Sequence, residues 1–161
     1  MKFINQKIGI FFWKLIVAFP IKFQNVLANI LFSFLKNPNL KRNIFSRKNI
    51  DAAFPNLNEQ EKINLFNKNL KSMICGIFDT GKAWFWNDFK INSLIKYEIF
   101  GLNKLTPTKG NLLIFKHSHH LELDSRILGM HCELYGVERV HNSTFMQKVQ
   151  SMGRLKGLNA L

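Results

Sequence analysis

The chain has 161 residues, 47% of them hydrophobic with sixteen Phe, and a formal net charge of +13. That length makes one domain with room for a real core, and the apolar content excludes an intrinsically disordered chain. The charge asks for an anionic partner, whose classes are nucleic acid, anionic lipid and an acidic protein.

Position within the chain narrows these classes. Residues 1–50 hold nine Lys/Arg and no Asp or Glu, while the remainder carries fourteen Lys/Arg against ten acids. The basic excess therefore sits in the most apolar stretch, which suits a membrane surface better than nucleic acid. No helix-turn-helix, zinc-finger or RNA-binding signature is present either, so no nucleic-acid partner is expected. Cys75 and Cys132 stand far apart and in no metal-ligand spacing. They read as reduced thiols in a cytoplasm-facing protein.

In chain order, Ile8 to Ile21 is apolar except for Lys14, shorter than the ~20 residues of a clean membrane span. Lys7, Lys14, Lys22, Asn25, Asn29, Ser33 and Lys36 fall within an arc of roughly 100° on a helical wheel, with Phe12, Phe19, Phe23, Leu27, Ile30 and Phe34 outside it. Residues 1–36 are thus expected to form a membrane anchor. An amphipathic helix in the interface, kinked near Pro20, and a tilted span with snorkelling Lys both fit. A core helix with one solvated face is the bland alternative. A cleaved signal peptide fits less well, because no small-x-small site follows.

Asn37-Pro38-Asn39 ends this element, and the basic stretch Lys41, Arg42, Arg47, Lys48 follows. Asn58 with Glu61 three residues on reads as a helix N-cap and its partner. The apolar set Ile63, Phe66, Leu70, Met73, Ile74 and Ile77 carries that helix to about Thr80. Trp84 and Trp86 form an aromatic cluster. From Tyr97 the period changes. Tyr97 to Phe100 reads as a strand closed by Gly101, Pro107 and Gly110 bracket a turn, and Leu112 to Phe115 reads as a buried parallel strand. A helix from Leu121 to about Leu134, a strand from Val137 to His141 and a helix from Phe145 to Met152 complete an α/β unit.

The segment most able to carry chemistry is His117-Ser118-His119-His120-Leu121-Glu122-Leu123-Asp124. His117 is expected where a strand ends, and Glu122 in the first turn of the next helix. A carboxylate on one imidazole nitrogen fixes the tautomer and leaves the other nitrogen as a general base. His119 and Asp124 repeat the spacing, so the register is open on spacing alone. The run His-x-His-His also invites a metal. The further ligands that zinc needs have no downstream motif, so no metal is expected. A polar strand-to-helix loop with chance histidines is the third reading.

An ordered series of motifs bears on this choice. It comprises the basic segment leading to Asn49-Ile50, then Phe54-Pro55, Leu57, Glu59 to Glu61, Trp84/Trp86 and Gly101-Leu102. It continues through His117, Leu121-Glu122-Leu123, Arg126, Gly129-Met130-His131, Arg139 and Gly153-Arg154-Leu155. In these residues the chain resembles the late acyltransferases of lipid A biosynthesis, the lauroyl/myristoyl transferase family. The resemblance implies an α/β fold of glycerolphosphate-acyltransferase type, in which an N-terminal membrane-associated helix precedes further helices and the first part of a mixed or parallel sheet. Residues 37–161 would be the N-terminal part of that acyltransferase domain. It implies His117 as base and Glu122 as its orienting partner, with Arg139 and Arg154 binding substrate. An acyl carrier protein thioester would be the donor and a lipid A precursor the acceptor. No cofactor is implied. The location would be the inner membrane, with the catalytic domain facing the cytoplasm.

The family's Tyr-Arg-Pro and Asn-Pro are Glu138-Arg139-Val140 and Ser143-Thr144 here, and only the arginine survives. A glutamate there is electrostatically wrong beside a phosphate. Family members run to roughly twice this length, so a truncated product is expected, with the activity of this chain alone left open. A non-catalytic membrane-associated remnant or one part of a split enzyme is the alternative reading.

Overall fold

The computed structural model describes residues 2–106 and 110–161; the expected turn residue Pro107 lies outside them. The chain divides into two compact units, one of residues 19–78 and one of residues 1–18 with 79–161.

The first unit holds α2 (Ile21–Leu35), α3 (Lys41–Ala53) and most of α4 (Glu59–Phe85). Proline fixes φ and lacks an N–H, so it favours a helix start. Pro20 accordingly caps α2, its carbonyl accepting from the Phe23 and Gln24 N–H groups. Asn43 is buried, and its Nδ2 donates to the carbonyls of Leu35 at 2.6 Å and Asn37 at 2.7 Å. That side chain closes the turn between α2 and α3 by satisfying carbonyls the helix end leaves over. The start of α4 is a capping box, as expected. Asn58 Oδ1 accepts from the Glu61 N–H, and Glu61 Oε2 accepts from the Asn58 N–H, both at 2.9 Å. Phe66, Leu70, Ile74 and Phe78 follow at four-residue steps and are buried, the stripe a core-facing helix needs. The opposite situation holds on α2. There Phe23, Val26, Ile30 and Phe34 share one face and are exposed.

The second unit holds α1 (Lys2–Ala18), the end of α4, α5 (Asp88–Leu94), a short 3-10 turn at Leu102–Lys104, α6 (Leu121–Leu128) and α7 (Thr144–Arg154). Aromatic side chains form its centre. Trp13 meets Trp84 and Phe85 edge-on at 5.5 and 5.3 Å, and the Trp86 Nε1–H donates to the Val17 carbonyl at 2.8 Å. Two glycines permit the close approaches. A Cβ at Gly81 would stand 2.7 Å from Val17 Cγ1, and one at Gly153 would stand 2.4 Å from Trp84 Cγ. Arg126, buried on α6, donates to Asp88 Oδ1 and to the Lys156 carbonyl. It thereby ties α5 and α6 to the segment after α7. On α1, Ile4, Ile8, Phe11, Phe12 and Leu15 form an exposed apolar face.

Two expectations need correction. The described residues contain no strand and no sheet, so the α/β class does not hold. Residues 97–100, 112–115 and 137–141 are irregular. A strand requires a neighbour to receive its N–H and C=O groups, and these segments have none. Leu112 is 89% exposed and Ile114 90%, the reverse of a buried parallel strand. Among the described residues, pairing is confined to one parallel bridge between Tyr135 and Ala160. The second correction concerns the membrane-spanning alternative for residues 1–36. Among the described residues no helix is long and apolar enough to cross a membrane. Pro20 divides the apolar stretch into helices of 17 and 15 residues, each below the ~20 of a span. The stretch at 41–48, read from sequence only as basic, is the helix α3, and α5 was not foreseen.

Candidate active site

The site is built around the start of α6. Leu123 and Ile127, four residues apart, are buried and hold the helix against its unit. Glu122 and Asp124 occupy its first turn, where carboxylates interact favourably with unpaired N–H groups. Glu122 lies close to the protein interior, its side chain 17% exposed. The Trp84 Nε1–H donates to its Oε2 at 2.9 Å. Arg154 Nε donates to Oε1 at 3.0 Å and Oε2 at 3.1 Å, and Arg154 Nη2 donates to Oε1.

Arg154 continues the network. Its Nη1 donates to Glu138 Oε2 at 2.7 Å. Glu138 further accepts from Gln150 Nε2 at 3.1 Å, Ser151 Oγ at 2.9 Å and Gln147 Nε2. Burial alone would raise this carboxyl. The hydrogen bonds from Gln150, Arg154, Ser151 and Gln147 outweigh burial and bring its pKa down from 4.5 to about 2. Arg154 is held above the ordinary arginine value, first by its hydrogen bonds to Glu122, against the cost of burial. One guanidinium thus bridges two carboxylates, using the planar fork that suits arginine to such a place.

The expected residues are distributed as follows. Glu122 and Arg154 are brought together. His117 is exposed and has no hydrogen-bond or ion-pair partner among the described residues, so the imidazole and the Glu122 carboxylate are not joined. Arg139 is also exposed and without an ion pair among them. Glu138, which looked misplaced as a neighbour of phosphate, instead faces Arg154. His119 is exposed. His120 is the histidine that meets a carboxylate, its Nδ1 lying 2.5 Å from Asp79 Oδ2. Asp79 Oδ1 accepts from Lys82 Nζ at 2.7 Å. No local spacing could have found this pair, which spans 41 residues.

A cavity of about 1050 Å³ opens beside this network. Leu112, Leu113, Phe115, Leu121 and Leu158 line it, with Glu122 and Arg154 in its wall. Its size and largely apolar lining, with a few convergent polar groups, are those of a small-molecule site. No group of His, Cys, Asp and Glu among the described residues is arranged to hold a metal. Cys75 and Cys132 form no disulfide.

Comparison with known proteins identifies the family of the chain. The profile of bacterial lipid A biosynthesis acyltransferases matches residues 2–159. A lipid A biosynthesis acyltransferase of Haemophilus influenzae is 32% identical over 155 residues, covering 92% of this chain and 49% of that protein. A lipid A biosynthesis lauroyltransferase of Escherichia coli is 31% identical, covering 81% of this chain and 42% of its own length. A lipid A biosynthesis palmitoleoyltransferase of the same organism is 29% identical, covering 75% and 40%. The chain therefore spans half the length of these relatives or less. No solved structure matches it. With its match running through nearly every residue, the chain belongs to the bacterial lipid A biosynthesis acyltransferase family.

Proposed function

We propose that the protein takes part in transfer of a fatty acyl chain from an acyl carrier protein thioester to a hydroxyl of a lipid A precursor. The observation that carries this reading is the apolar cavity with Glu122 and Arg154 in its wall, beside the histidine-rich turn that opens α6. An apolar cleft accommodates a hydrocarbon chain, and the polar wall marks the end where chemistry occurs. His117 removes the acceptor hydroxyl proton as its oxygen attacks the thioester carbonyl. The tetrahedral intermediate collapses with loss of the thiolate, which takes the proton from the imidazolium. Proton transfer of this kind contributes roughly 10²–10⁴-fold. Glu122 orients the imidazole in this scheme and stabilises its charged form. Arg139 meets an anionic group of the acceptor, and Arg154 holds the Glu122 carboxylate in place in the cavity wall.

Residues 1–36 serve as an interfacial anchor on the cytoplasmic face of the inner membrane, and residues 37–161 form the acyltransferase part. The exposed apolar faces of α1 and α2 support this, together with the lack of acids in residues 1–50. Substitution of Phe23 and Phe34 by Ser tests the anchor. Their loss should shift the protein out of the membrane fraction in flotation, and unchanged flotation would remove that role from α2. For the chemistry, the protein in detergent is supplied with acyl carrier protein thioester and a tetra-acylated lipid A precursor. A heavier lipid is sought by mass spectrometry. Its loss in His117→Ala, with turnover kept in His119→Ala, supports the scheme; the reverse pattern moves the base to His119.

A further inference from the structure

A second cavity, of about 490 Å³, lies in the unit that contains α1, α5 and α7 and has a different chemistry. Lys14, Lys90 and Lys156 line it, with Trp84, Phe85 and Trp86 as aromatic wall and Val17 and Met152 as aliphatic wall. None of the three lysines pairs with a carboxylate among the described residues. Lys14 Nζ stands 5.2 Å from the centre of the Phe85 ring. Lys90 Nζ stands 4.3 Å from the Trp86 ring and 3.4 Å from the Ala18 carbonyl oxygen. Lys156 Nζ donates to the Trp86 carbonyl at 3.3 Å. Ring faces and main-chain oxygens steer an ammonium without neutralising it. The charges are felt within the site. Lys156 is held below the ordinary lysine value, first by burial and then by the positive charges of Arg126 and Lys14, with Asp88 opposing.

We propose that this cavity binds the phosphate group of an anionic amphiphile, with Lys14, Lys90 and Lys156 as its cationic partners and the aromatic and aliphatic wall receiving the adjoining hydrocarbon. The inference does not need the acyl-transfer scheme: none of its three lysines lines the cavity beside Glu122, and Trp84, which also donates to Glu122, enters it only as wall. Three ammonium groups oriented by soft contacts form a receptor for a spherical multivalent anion, since point-like lysine charges need no fixed approach geometry. The apolar wall selects against a free anion, whose hydration it cannot replace. A phosphate carried on a short hydrocarbon satisfies both.

The test uses the whole chain in neutral detergent and reads tryptophan fluorescence, since Trp84 and Trp86 form the wall. The probes are inorganic phosphate, a short-chain alkyl phosphate and the matching uncharged alcohol. The alkyl phosphate is expected to shift the emission in a saturable way. Inorganic phosphate should bind more weakly, and the alcohol should not bind. Lys14→Gln with Lys156→Gln should weaken the alkyl phosphate by about tenfold or more, the scale of one or two charge-assisted hydrogen bonds. Lys96→Gln with Lys148→Gln, which removes the same charge elsewhere, should leave affinity within about twofold. Lys14→Gln alone, at an exposed position on α1, carries the test if the double variant does not fold. Equal weakening by both pairs would reduce the effect to net charge and overturn the site. Inorganic phosphate binding as tightly as the alkyl phosphate would overturn the amphiphile. Phosphatidylcholine vesicles with and without phosphatidic acid then separate a membrane source from a soluble one. A fluorescence response to phosphatidic acid that Lys14→Gln with Lys156→Gln abolishes assigns the membrane source.

Discussion

Two groups of cations in the same structural unit are treated in opposite ways. Arg154 bridges Glu122 and Glu138, and every donor nitrogen of its guanidinium meets a carboxylate. Lys14, Lys90 and Lys156 meet rings and carbonyls and, among the described residues, no carboxylate. The first arrangement is closed. Its one guanidinium is shared by two carboxylates, and opening it would leave charge stranded in a poorly hydrated place. The second arrangement holds a charge excess at a cavity. A paired cation near the interior holds structure together, while an unpaired cluster at a cavity is available to a ligand.

The largest expected effect comes from breaking the closed network. Arg154→Met leaves two carboxylates, 17% and 9% exposed, without their counter-ion. The loss should be about 3–5 kcal/mol, read as a lowered denaturation midpoint. Arg154→Lys should recover only part of it, because a point charge cannot reach both carboxylates in a fork. If Arg154→Met melted like the parent protein, the network would be a surface ornament and the contrast would fail. Gly153→Ala probes the packing beneath the same network. Its Cβ would enter within 2.4 Å of the Trp84 indole. Displacing that ring also displaces the donor to Glu122, and the cost should be about 1–3 kcal/mol. The check is thermal melting together with near-ultraviolet circular dichroism.

Acid should open the network in a defined window. The Glu138 pKa is depressed in the folded state, from 4.5 to about 2. A depressed carboxyl contributes stability above its unfolded pKa and loses it as pH falls through the folded pKa. Stability should therefore decline between about pH 4.5 and pH 2 through this group. Glu138→Gln should start lower at neutral pH and show a shallower decline across that window. An equally steep decline in the variant would assign the acid step to other carboxylates.

Much of the helical framework was legible because its signals are local. The Asn58/Glu61 capping box, the four-residue stripe from Phe66 to Phe78 and the break at Pro20 need only neighbouring residues to act. The sheet was not legible correctly because a strand is defined by a partner distant in sequence. Leu112 to Phe115 has the composition of a buried strand and no neighbour to bury it. Within the candidate site, the position of Glu122 in the first turn of α6 was predictable. Its partner was not. Arg154 lies 32 residues on and Trp84 38 residues back, beyond the reach of local spacing. Glu138 shows the same blindness. Its charge looked adverse until the arginine it serves was located.

The smallest expected effect is the sharpest test of the contrast. Lys156→Met removes a cation from the open cluster and keeps most of the side chain's apolar stem, which packs as lysine stems do. The ammonium gives up a hydrogen bond to the Trp86 carbonyl at 3.3 Å, near the long limit of such bonds. Against that, two repulsions disappear, from Arg126 and Lys14, and so does the burial that already disfavours the charge, while the attraction of Asp88 is also lost. These contributions nearly cancel, so the stability should change by no more than about 0.5 kcal/mol, in either direction. Denaturant unfolding of Lys156→Met beside Arg154→Met measures both on one scale. A loss from Lys156→Met as large as that from Arg154→Met would show that the lysine cluster also holds the fold together, and the division between closed and open cations would not stand.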